Sequence, residues 1–232
     1  MVLAEHEGQD SEIRMNLYDQ LAGSPLFMGL TSSELMQIIG QTKFAFHTFA
    51  PGKNIRTEGE PCRSMAFLIG GSMTATTYAD DHGYSLDEHL KAPHVMQPEC
   101  LFGLTQHYTR TFTAQTQCDI MEIEKNDIMR MSDEFIVFRL NMMNMLSTMA
   151  QKRSRSTWHC LPDDTRGRFL HFVRNRCSLP TGKKTVRIKM VRLAHEIGTG
   201  RLAVSQMLNE LEDKGLLAFS RGIISIPQLE LL

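Results

Sequence analysis

Hydrophobic positions follow three different patterns along the chain, and each pattern predicts a different kind of element. Between residues 16 and 40 they recur at helical spacing, with an N-cap signal at Thr31 and a stop at Gly40. From about 43 to 124, short runs of Phe, Ile, Thr and Val alternate with glycines, which predicts strands with a tight turn at Gly70-Gly71 and a hairpin tip at 78–84. Many short strands of this kind form a sandwich, barrel or jelly roll.

Residues 126–159 contain no glycine or proline and predict one long helix. Apolar residues spaced 3, 4, 3 and 4 apart predict the seam of a coiled-coil dimer. The predicted seam residues are Phe135, Phe138, Met142, Met145 and Met149. A second stripe (Ile136, Leu140, Met143) is predicted to face the strand domain. The alternative is a single broad stripe inside a monomer, but two-fold dimers are the commonest oligomers, which favours a homodimer.

Two short amphipathic helices are predicted between residues 190 and 213, broken at Gly198-Thr199-Gly200. The second helix carries its apolar residues on one stripe and a polar face opposite, which indicates a helix-turn-helix rather than a hairpin inside a core. The candidate DNA-contacting residues are Thr199, Arg201, Leu202, Ser205, Gln206 and Asn209. A guanidinium at Arg201 can pair with guanine O6 and N7. The runs TVRIKM and AFSRGIISI predict flanking strands, the second turning at Arg221-Gly222, so that the module is a winged helix.

The charge is divided unevenly between the two parts of the chain. Residues 1–151 carry 10 Lys+Arg and 19 Asp+Glu, a net of −9, whereas residues 152–232 carry 15 and 7, a net of +8. A compact basic module commonly binds a polyanion, because Lys and Arg release counterions from phosphates. This division predicts two modules with different partners.

Composition and motifs exclude several other classes. Five widely spaced cysteines without a CxxC pair, and a polar, acidic start without a signal peptide, predict a reduced, cytoplasmic protein. No apolar run approaches the length of a membrane span. No Walker loop, HExxH, GxSxG or paired catalytic constellation occurs, so we expect no enzyme.

With these motifs in hand, residues 20–228 resemble the cyclic-AMP-receptor/FNR-type family of bacterial transcription regulators. The resemblance is carried by FAPGKNIRTEGEPCRSMAFLIGGSMTA, by the long helix, and by LAHEIGTGRLAVSQMLNELEDKGLLAFSRGIISI, in the family's order. It implies an α+β fold: a cyclic-nucleotide-binding-like jelly roll (double-stranded β-helix) at 16–132, a dimerisation helix at 133–160 and a winged helix-turn-helix at 161–232. It also implies a homodimer that binds two-fold-related promoter DNA, with RNA polymerase as a further partner, and an effector in the β-roll that shifts the DNA-binding heads.

The chain departs from the family pattern in both functional regions. On the recognition helix, Leu202 takes the place of a glutamate and Gln206 that of a second arginine, which predicts a different DNA site. The stretch ECLFGLTQHYTRT corresponds to the nucleotide-binding cassette, and its candidate pocket residues are Leu101, Gly103, Leu104, Arg110 and Thr111. Cys100-Leu101 replaces the Gly-Glu pair that would bind a ribose hydroxyl, so we expect an effector other than cyclic AMP. The alternative is that Glu99 supplies the carboxylate.

No cofactor is predicted. The family's cysteine-bound iron-sulfur cluster is not expected, because no cysteine precedes Cys62. His89, His94 and His107 flank the predicted pocket, and a haem there is the alternative, but their scattered positions lack metal-ligand spacing. A second functional class is a ligand- or haem-sensing module that acts through protein contacts; the basic winged helix favours DNA binding.

Overall fold

A computed structural model describes residues 17–158 and 160–232 of the chain. Residue 16, where the first helical region was predicted to begin, and His159, where the long helix was predicted to end, lie outside the described residues. The fold is α+β with antiparallel sheets. Residues 17–22 are helical, and the further helices are α1 (Ser32–Gln41), α2 (Lys125–Glu134), α3 (Ile136–Trp158), α4 (Thr165–Arg176), α5 (Met190–Glu196) and α6 (Arg201–Asp213). The strands are β1 (Phe44–Phe49), β2 (Asn54–Arg56), β3 (Ser64–Gly70), β4 (Ser72–Tyr78), β5 (Tyr84–Lys91), β6 (His94–Met96), β7 (Thr111–Ala114), β8 (Cys118–Glu124), β9 (Lys184–Ile188), β10 (Ala218–Ser220) and β11 (Ile223–Ile226).

Strands β1–β8 form two layers, which we call the β unit. One sheet has the order β1-β8-β3-β6, and the other contains β5-β4-β7-β2. The predicted tight turn at Gly70-Gly71 is confirmed, but β3 and β4 do not pair: the chain passes there from one sheet to the other. Gly71 has φ +86°, and a Cβ atom on it would lie 2.0 Å from the carbonyl oxygen of Gln117, so the crossing requires glycine.

The predicted hairpin tip at 78–84 is also confirmed. Strands β4 and β5 pair from Ser72↔Lys91 to Tyr78↔Ser85, and the Ala79 amide donates to the Tyr84 carbonyl at 3.0 Å. The N-cap of α1 is Thr31, whose hydroxyl and amide form a capping box with Glu34. The helix runs one residue past the predicted stop at Gly40.

The long helical segment is two helices, because the backbone of Phe135 is extended and separates α2 from α3. Phe135 and Phe138 are buried in the core of the β unit, and Met142 and Met145 pack against that core. The seam assignment is therefore corrected for Phe135 and Phe138, which have no surface left to give a partner; for the three methionines, Met149 included, it stays a prediction. The stripe predicted to face the strands is the exposed one: Ile136, Leu140 and Met143 are 52%, 48% and 57% exposed.

No described helix combines the length and apolar character needed to cross a bilayer.

The core of the β unit also includes the two aromatic contacts of Phe27, with Phe67 and with Phe138. These contacts fasten the start of α3 to the strands, so that one face of α3 belongs to the β unit and the other faces away from it.

Residues 160–232, which we call the C-terminal unit, surround a second core. That core contains Phe169, Phe172, Val173, Val186, Ile188, Leu193, Ala194, Ile197, Val204, Met207, Leu208, Leu211, Leu217, Ile224, Ile226, Leu229 and Leu232. It also takes in Leu86 from β5. The predicted hairpin at Arg221-Gly222 is confirmed, with β10 and β11 pairing around a turn whose two residues both have positive φ, the combination that a tight hairpin turn needs.

The two units share one sheet. Its order is β10-β11-β9-β5-β4-β7-β2, and β9 of the C-terminal unit pairs with β5 of the β unit from Tyr84↔Ile188 to Glu88↔Lys184. The sequence did not predict that β5 pairs with β9. A strand's own residues do not specify its neighbour in a sheet, because tertiary contacts decide which strands pair.

Candidate nucleic-acid interface and effector region

Helices α5 and α6 pack together across a short turn whose backbone is fixed by local bonds. Gly198 has φ +63°, and the Thr199 amide donates to the Ala194 carbonyl at 3.0 Å. Arg168 of α4 ties this turn to the rest of the unit, donating to the carbonyls of Pro162 and Gly198 at 2.8 Å each. The predicted break at Gly198-Thr199-Gly200 is thus confirmed as a rigid turn.

Helix α6 buries its predicted apolar stripe and leaves its predicted polar face open. The buried residues are Val204, Met207, Leu208 and Leu211. The opposite face, which we call the reading face, consists of Thr199, Arg201, Leu202, Ser205, Gln206 and Asn209. Arg201, Leu202, Gln206 and Asn209 are exposed, and Thr199 and Ser205 are partly so. All six candidate residues are therefore accessible, Thr199 on the turn and the other five on the open side of α6, and their contact with DNA stays a prediction.

Two features add positive potential beside the reading face. No side chain caps the N-terminus of α6, where Gly200 is the N-cap, so the amides of its first turn remain available to an anion. Arg221 is exposed at the tip of the β10–β11 hairpin. Leu202 is 73% exposed, so its side chain is accessible on this face.

The five candidate effector residues do not line one cavity. Leu101 is buried in the core of the β unit, whereas Leu104 is fully exposed and so forms no pocket wall within the described chain. Gly103 has φ +94° between them, and the Thr111 hydroxyl accepts from the Glu58 amide at 3.2 Å. The burial of Leu101 agrees with a collapsed pocket at this position, and effector binding by these five residues stays a prediction.

Arg110, the remaining candidate, is already engaged by a carboxylate that the sequence did not single out. Its Nη1 lies 2.8 Å from Oε2 of Glu88 and also donates to the Ser178 hydroxyl. Glu88 is fully buried and accepts from the amides of Ser178 at 2.8 Å and Leu179 at 3.1 Å; Nζ of Lys184 lies 3.2 Å from its Oε1. We call Glu88, Arg110 and Lys184 the junction cluster.

The pKa of Glu88 reflects two opposed effects. Burial alone would raise it, but the charge of Arg110, the Ser178 amide and the charge of Lys184 together hold the pKa below its ordinary value. Glu88 is therefore ionised at neutral pH despite its burial. No sequence signal marked it, because an acidic residue inside an exposed-looking strand reads as solvated until its neighbours are known.

Glu99, the alternative source of a carboxylate, lies in the same loop, and its role in binding an effector stays a prediction. It lies in a 3₁₀ turn over Pro98–Cys100, with Oε1 3.6 Å from Nη2 of Arg153 on α3. Its Oε2 is buried and accepts no hydrogen bond from the described residues. This loop therefore places the carboxylate of Glu99 beside the long helix, although position 101 itself carries a leucine.

The three histidines near the loop, His89, His94 and His107, do not form a metal-binding group within the described residues. Burial lowers the pKa of His94 to about 4, so this imidazole is neutral at physiological pH. His107 is exposed and His89 is partly buried on β5. In the part of the chain that the structure describes, no three His, Cys, Asp or Glu side chains form a group able to hold a metal ion.

The chain was compared with solved structures, with family models and with curated proteins. The chain is similar to the sensor domain of the transcriptional regulator DNR from Pseudomonas aeruginosa, with 17% identity and a TM-score of 0.53, over 64% of this chain and 96% of that one. It is also similar to the Catabolite Activator Protein of Thermus thermophilus (17% identity, TM-score 0.46, 90% and 96% covered) and to FixK2 of Bradyrhizobium japonicum (14%, 0.45, 82% and 95%). No family model and no curated protein matches the sequence. The DNR match establishes that the β unit has the fold of that sensor domain.

Proposed function

We propose that the chain is a sequence-specific DNA-binding transcription regulator of the cyclic-AMP-receptor/FNR type. The observation that carries the proposal is the reading face: six predicted contact residues share one open surface on a helix that stands at a rigid turn. Such a helix fits the major groove, where its first residues reach base edges. The net charge of +8 on residues 152–232 supplies the non-specific attraction to phosphates.

Individual roles follow from side-chain chemistry. Arg201 pairs with guanine, and Leu202 packs on a thymine methyl group where a glutamate would accept from cytosine. The uncapped start of α6 and Arg221 at the hairpin tip bind backbone phosphates, which orient the helix without reading sequence. In this proposal the C-terminal unit is a winged helix.

The proposal includes a homodimer formed through α3. Its exposed residues Ile136, Leu140 and Met143 follow the i, i+4, i+7 spacing of a helix-packing stripe, and they lie opposite the face that packs on the β unit. A second copy of the same stripe is the self-complementary partner that a two-fold dimer requires. Two heads would then face two half-sites of promoter DNA, which serves RNA polymerase recruitment.

The effector in this proposal is not cyclic AMP. A nucleotide phosphate needs an arginine, and the one nearest the expected position is neutralised by Glu88 inside the protein. The agent that controls the β unit is therefore expected to act without taking Arg110 as its phosphate ligand.

The test is selection of bound sequences from a random duplex pool, followed by titration at several salt concentrations. Arg201→Ala should lose preference at one base pair per half-site, by about 1–3 kcal/mol. Lys214→Ala is the matched control, since it removes one positive charge at the other end of α6 and should leave the selected motif unchanged. Wild-type protein that selects no motif, or an Arg201→Ala motif identical to that of wild type, contradicts the proposal.

A further inference from the structure

Strand β5 belongs to both units at once. Leu90 lies in the core of the β unit, whereas Leu86, four residues earlier, lies in the core of the C-terminal unit. Between them stands Glu88, opposite Lys184 in the register of the shared sheet. The joint between the units is therefore a paired strand with a buried charge at its centre, which is a more specific contact than an apolar interface.

Glu88 is held mainly by the other unit. Of the four groups that contact its carboxylate, only Arg110 belongs to the β unit; the Ser178 and Leu179 amides and Lys184 Nζ belong to the C-terminal unit. Lys184 is as fully buried as Glu88. Moving the units apart would leave Lys184 without its counter-charge and would take three of the four partners from Glu88, which is costly until water reaches these buried groups. We therefore expect such a joint to be either closed or open, with intermediate arrangements little populated.

Two further ion pairs between the units also join an acidic residue of the β unit to a basic residue of the C-terminal unit. The β4–β5 hairpin supplies Asp81 and Asp87, and the C-terminal unit supplies Arg192 and Arg187, at 2.9 and 2.6 Å respectively. The Tyr84 ring adds a contact with Phe172 at 5.5 Å between centroids. All these contacts use β9, α4 and one side of α5, and they leave the reading face of α6 exposed.

We propose that Glu88 is an interdomain latch, which fixes the C-terminal unit in the one orientation that presents its reading face, so that opening the latch lowers specific DNA affinity. This inference rests on the proposed function. It follows from the open reading face in the latched state and from the all-or-none character of the buried pairing. When only a fraction of molecules is latched, the apparent dissociation constant rises by the inverse of that fraction.

The first test compares Glu88→Gln with Glu122→Gln. Glu122 is the control, since it is a largely buried carboxylate that also pairs with an arginine, Arg56, but both residues lie within the β unit. We expect Glu88→Gln to weaken specific DNA binding about tenfold or more and to speed amide exchange in β9, and Glu122→Gln to do neither. Loss of a negative charge by itself would strengthen DNA binding, so the expected sign separates the latch from simple electrostatics.

The second test closes the joint covalently. Ser85 and Arg187 are register partners on β5 and β9, and paired positions of an antiparallel sheet lie within disulfide reach. In a Cys160→Ser background, oxidised S85C/R187C should bind DNA as tightly as wild type, to within about threefold, and reduction should weaken binding, because R187C removes the ion pair with Asp87. Added to Glu88→Gln, the same pair should restore affinity on oxidation and lose it on reduction.

Opposite results overturn the latch. They are an oxidised S85C/R187C protein that no longer binds DNA, a Glu88→Gln protein that binds as tightly as wild type, or unchanged β9 exchange in that variant. If Glu88→Gln does not fold, D81N/D87N opens the outer contacts of the same hairpin without altering the C-terminal unit, and the same loss of affinity is expected. Failure of wild-type protein to select any DNA would refute the proposed function, while β9 exchange would still decide whether Glu88 joins the units.

Discussion

Two arginines of this chain stand in opposite situations. Arg201 is exposed at the start of α6 and makes no ion pair or hydrogen bond through its side chain within the described residues. Arg110 lies in the junction cluster, where Glu88 and Ser178 accept its Nη1 protons. Both were candidates for binding a phosphate or a base, but only Arg201 has no counter-charge among the described residues.

The difference shows that a ligand-binding arginine is defined by what surrounds it. A guanidinium binds an external anion strongly when its donors are unsatisfied and its charge is uncompensated. At Arg201 both conditions hold. At Arg110 the charge is compensated, because its Nη1 already pairs with the fully buried carboxylate of Glu88. Under the proposed function, the C-terminal unit therefore offers an uncompensated arginine to a polyanion, whereas Arg110 of the β unit pairs with a carboxylate of the protein itself.

The largest expected effect comes from removing the negative charge of the junction cluster. Glu88→Gln leaves Arg110 and Lys184 buried without their counter-charge, which typically costs about 3–5 kcal/mol in the free energy of unfolding. Chemical denaturation followed by circular dichroism measures the loss. Glu122→Gln should cost less than half as much, because Arg56 borders an open surface pocket where water can replace the carboxylate. Equal losses would show that the junction is no more buried in solution than the β unit's own ion pair.

The same carboxylate should make stability depend on pH. The pKa of Glu88 is below its ordinary value in the folded protein, so its contribution is present above the ordinary pKa and is lost as pH falls through the folded pKa. Unfolding titrations of wild type should therefore show a stability loss in acid that Glu88→Gln lacks. Parallel curves for the two proteins would contradict the assignment.

The next largest effect concerns the two faces of α3. Met143→Glu places a charge in the proposed dimer contact of both copies and should convert a dimer into a monomer at micromolar concentration, since an unpaired charge is costly to bury. Met145→Glu is the matched comparison: Met145 packs on the protein's own core, so its substitution should lower the melting temperature while the dimer persists. Analytical ultracentrifugation distinguishes the two. A monomeric, normally stable Met145→Glu protein would restore the original seam.

How much of this arrangement the sequence predicts depends on the range of the interactions involved. The buried stripe of α6 and the exposure of its opposite side followed from the sequence, because the spacing of Val204, Met207, Leu208 and Leu211 determines which residues of one helix lie opposite; contact of that side with DNA stays a prediction. The turns at Gly71 and Arg221-Gly222 were predicted for the same local reason. The face of α3 that packs on the strands was assigned wrongly for Phe138, because both stripes are apolar and periodicity alone cannot say which one meets the β unit.

Contacts between distant segments were not predictable. Glu88 and Lys184 are 96 positions apart, and neither carries a motif. Their pairing depends on the edge of β5 meeting the edge of β9, which is a property of the assembled sheet. The sequence likewise did not predict that Leu101 is buried in the core while Glu99 of the same loop lies near Arg153 on α3.

A smaller effect is expected at the reading face. Leu202→Glu should exchange a contact with a thymine methyl for one with a cytosine amino group, and so change preference at one base pair per half-site by about 1–3 kcal/mol. The measurement is a sequence selection with both proteins. Asn209→Ala, farther along the same face, serves as a comparison that should not introduce a cytosine preference. An unchanged motif in Leu202→Glu would mean that Leu202 touches no base.

The smallest expected effect is that of cyclic AMP, for which we expect no binding at about 1 mM, the range of the weakest specific affinities. The ribose hydroxyl is not the obstacle, since Glu99 offers a buried carboxylate oxygen without a partner among the described residues. The obstacle is the phosphate, which would have to displace Glu88 from Arg110 while lying beside that buried negative charge. Calorimetry should therefore record no heat with wild type, and DNA affinity should not change. Glu88→Gln relieves the repulsion, so any nucleotide binding should first become measurable in that variant. Tight binding by wild type that disappears in both Glu99→Ala and Arg110→Ala would show instead that Arg110 exchanges Glu88 for a ligand.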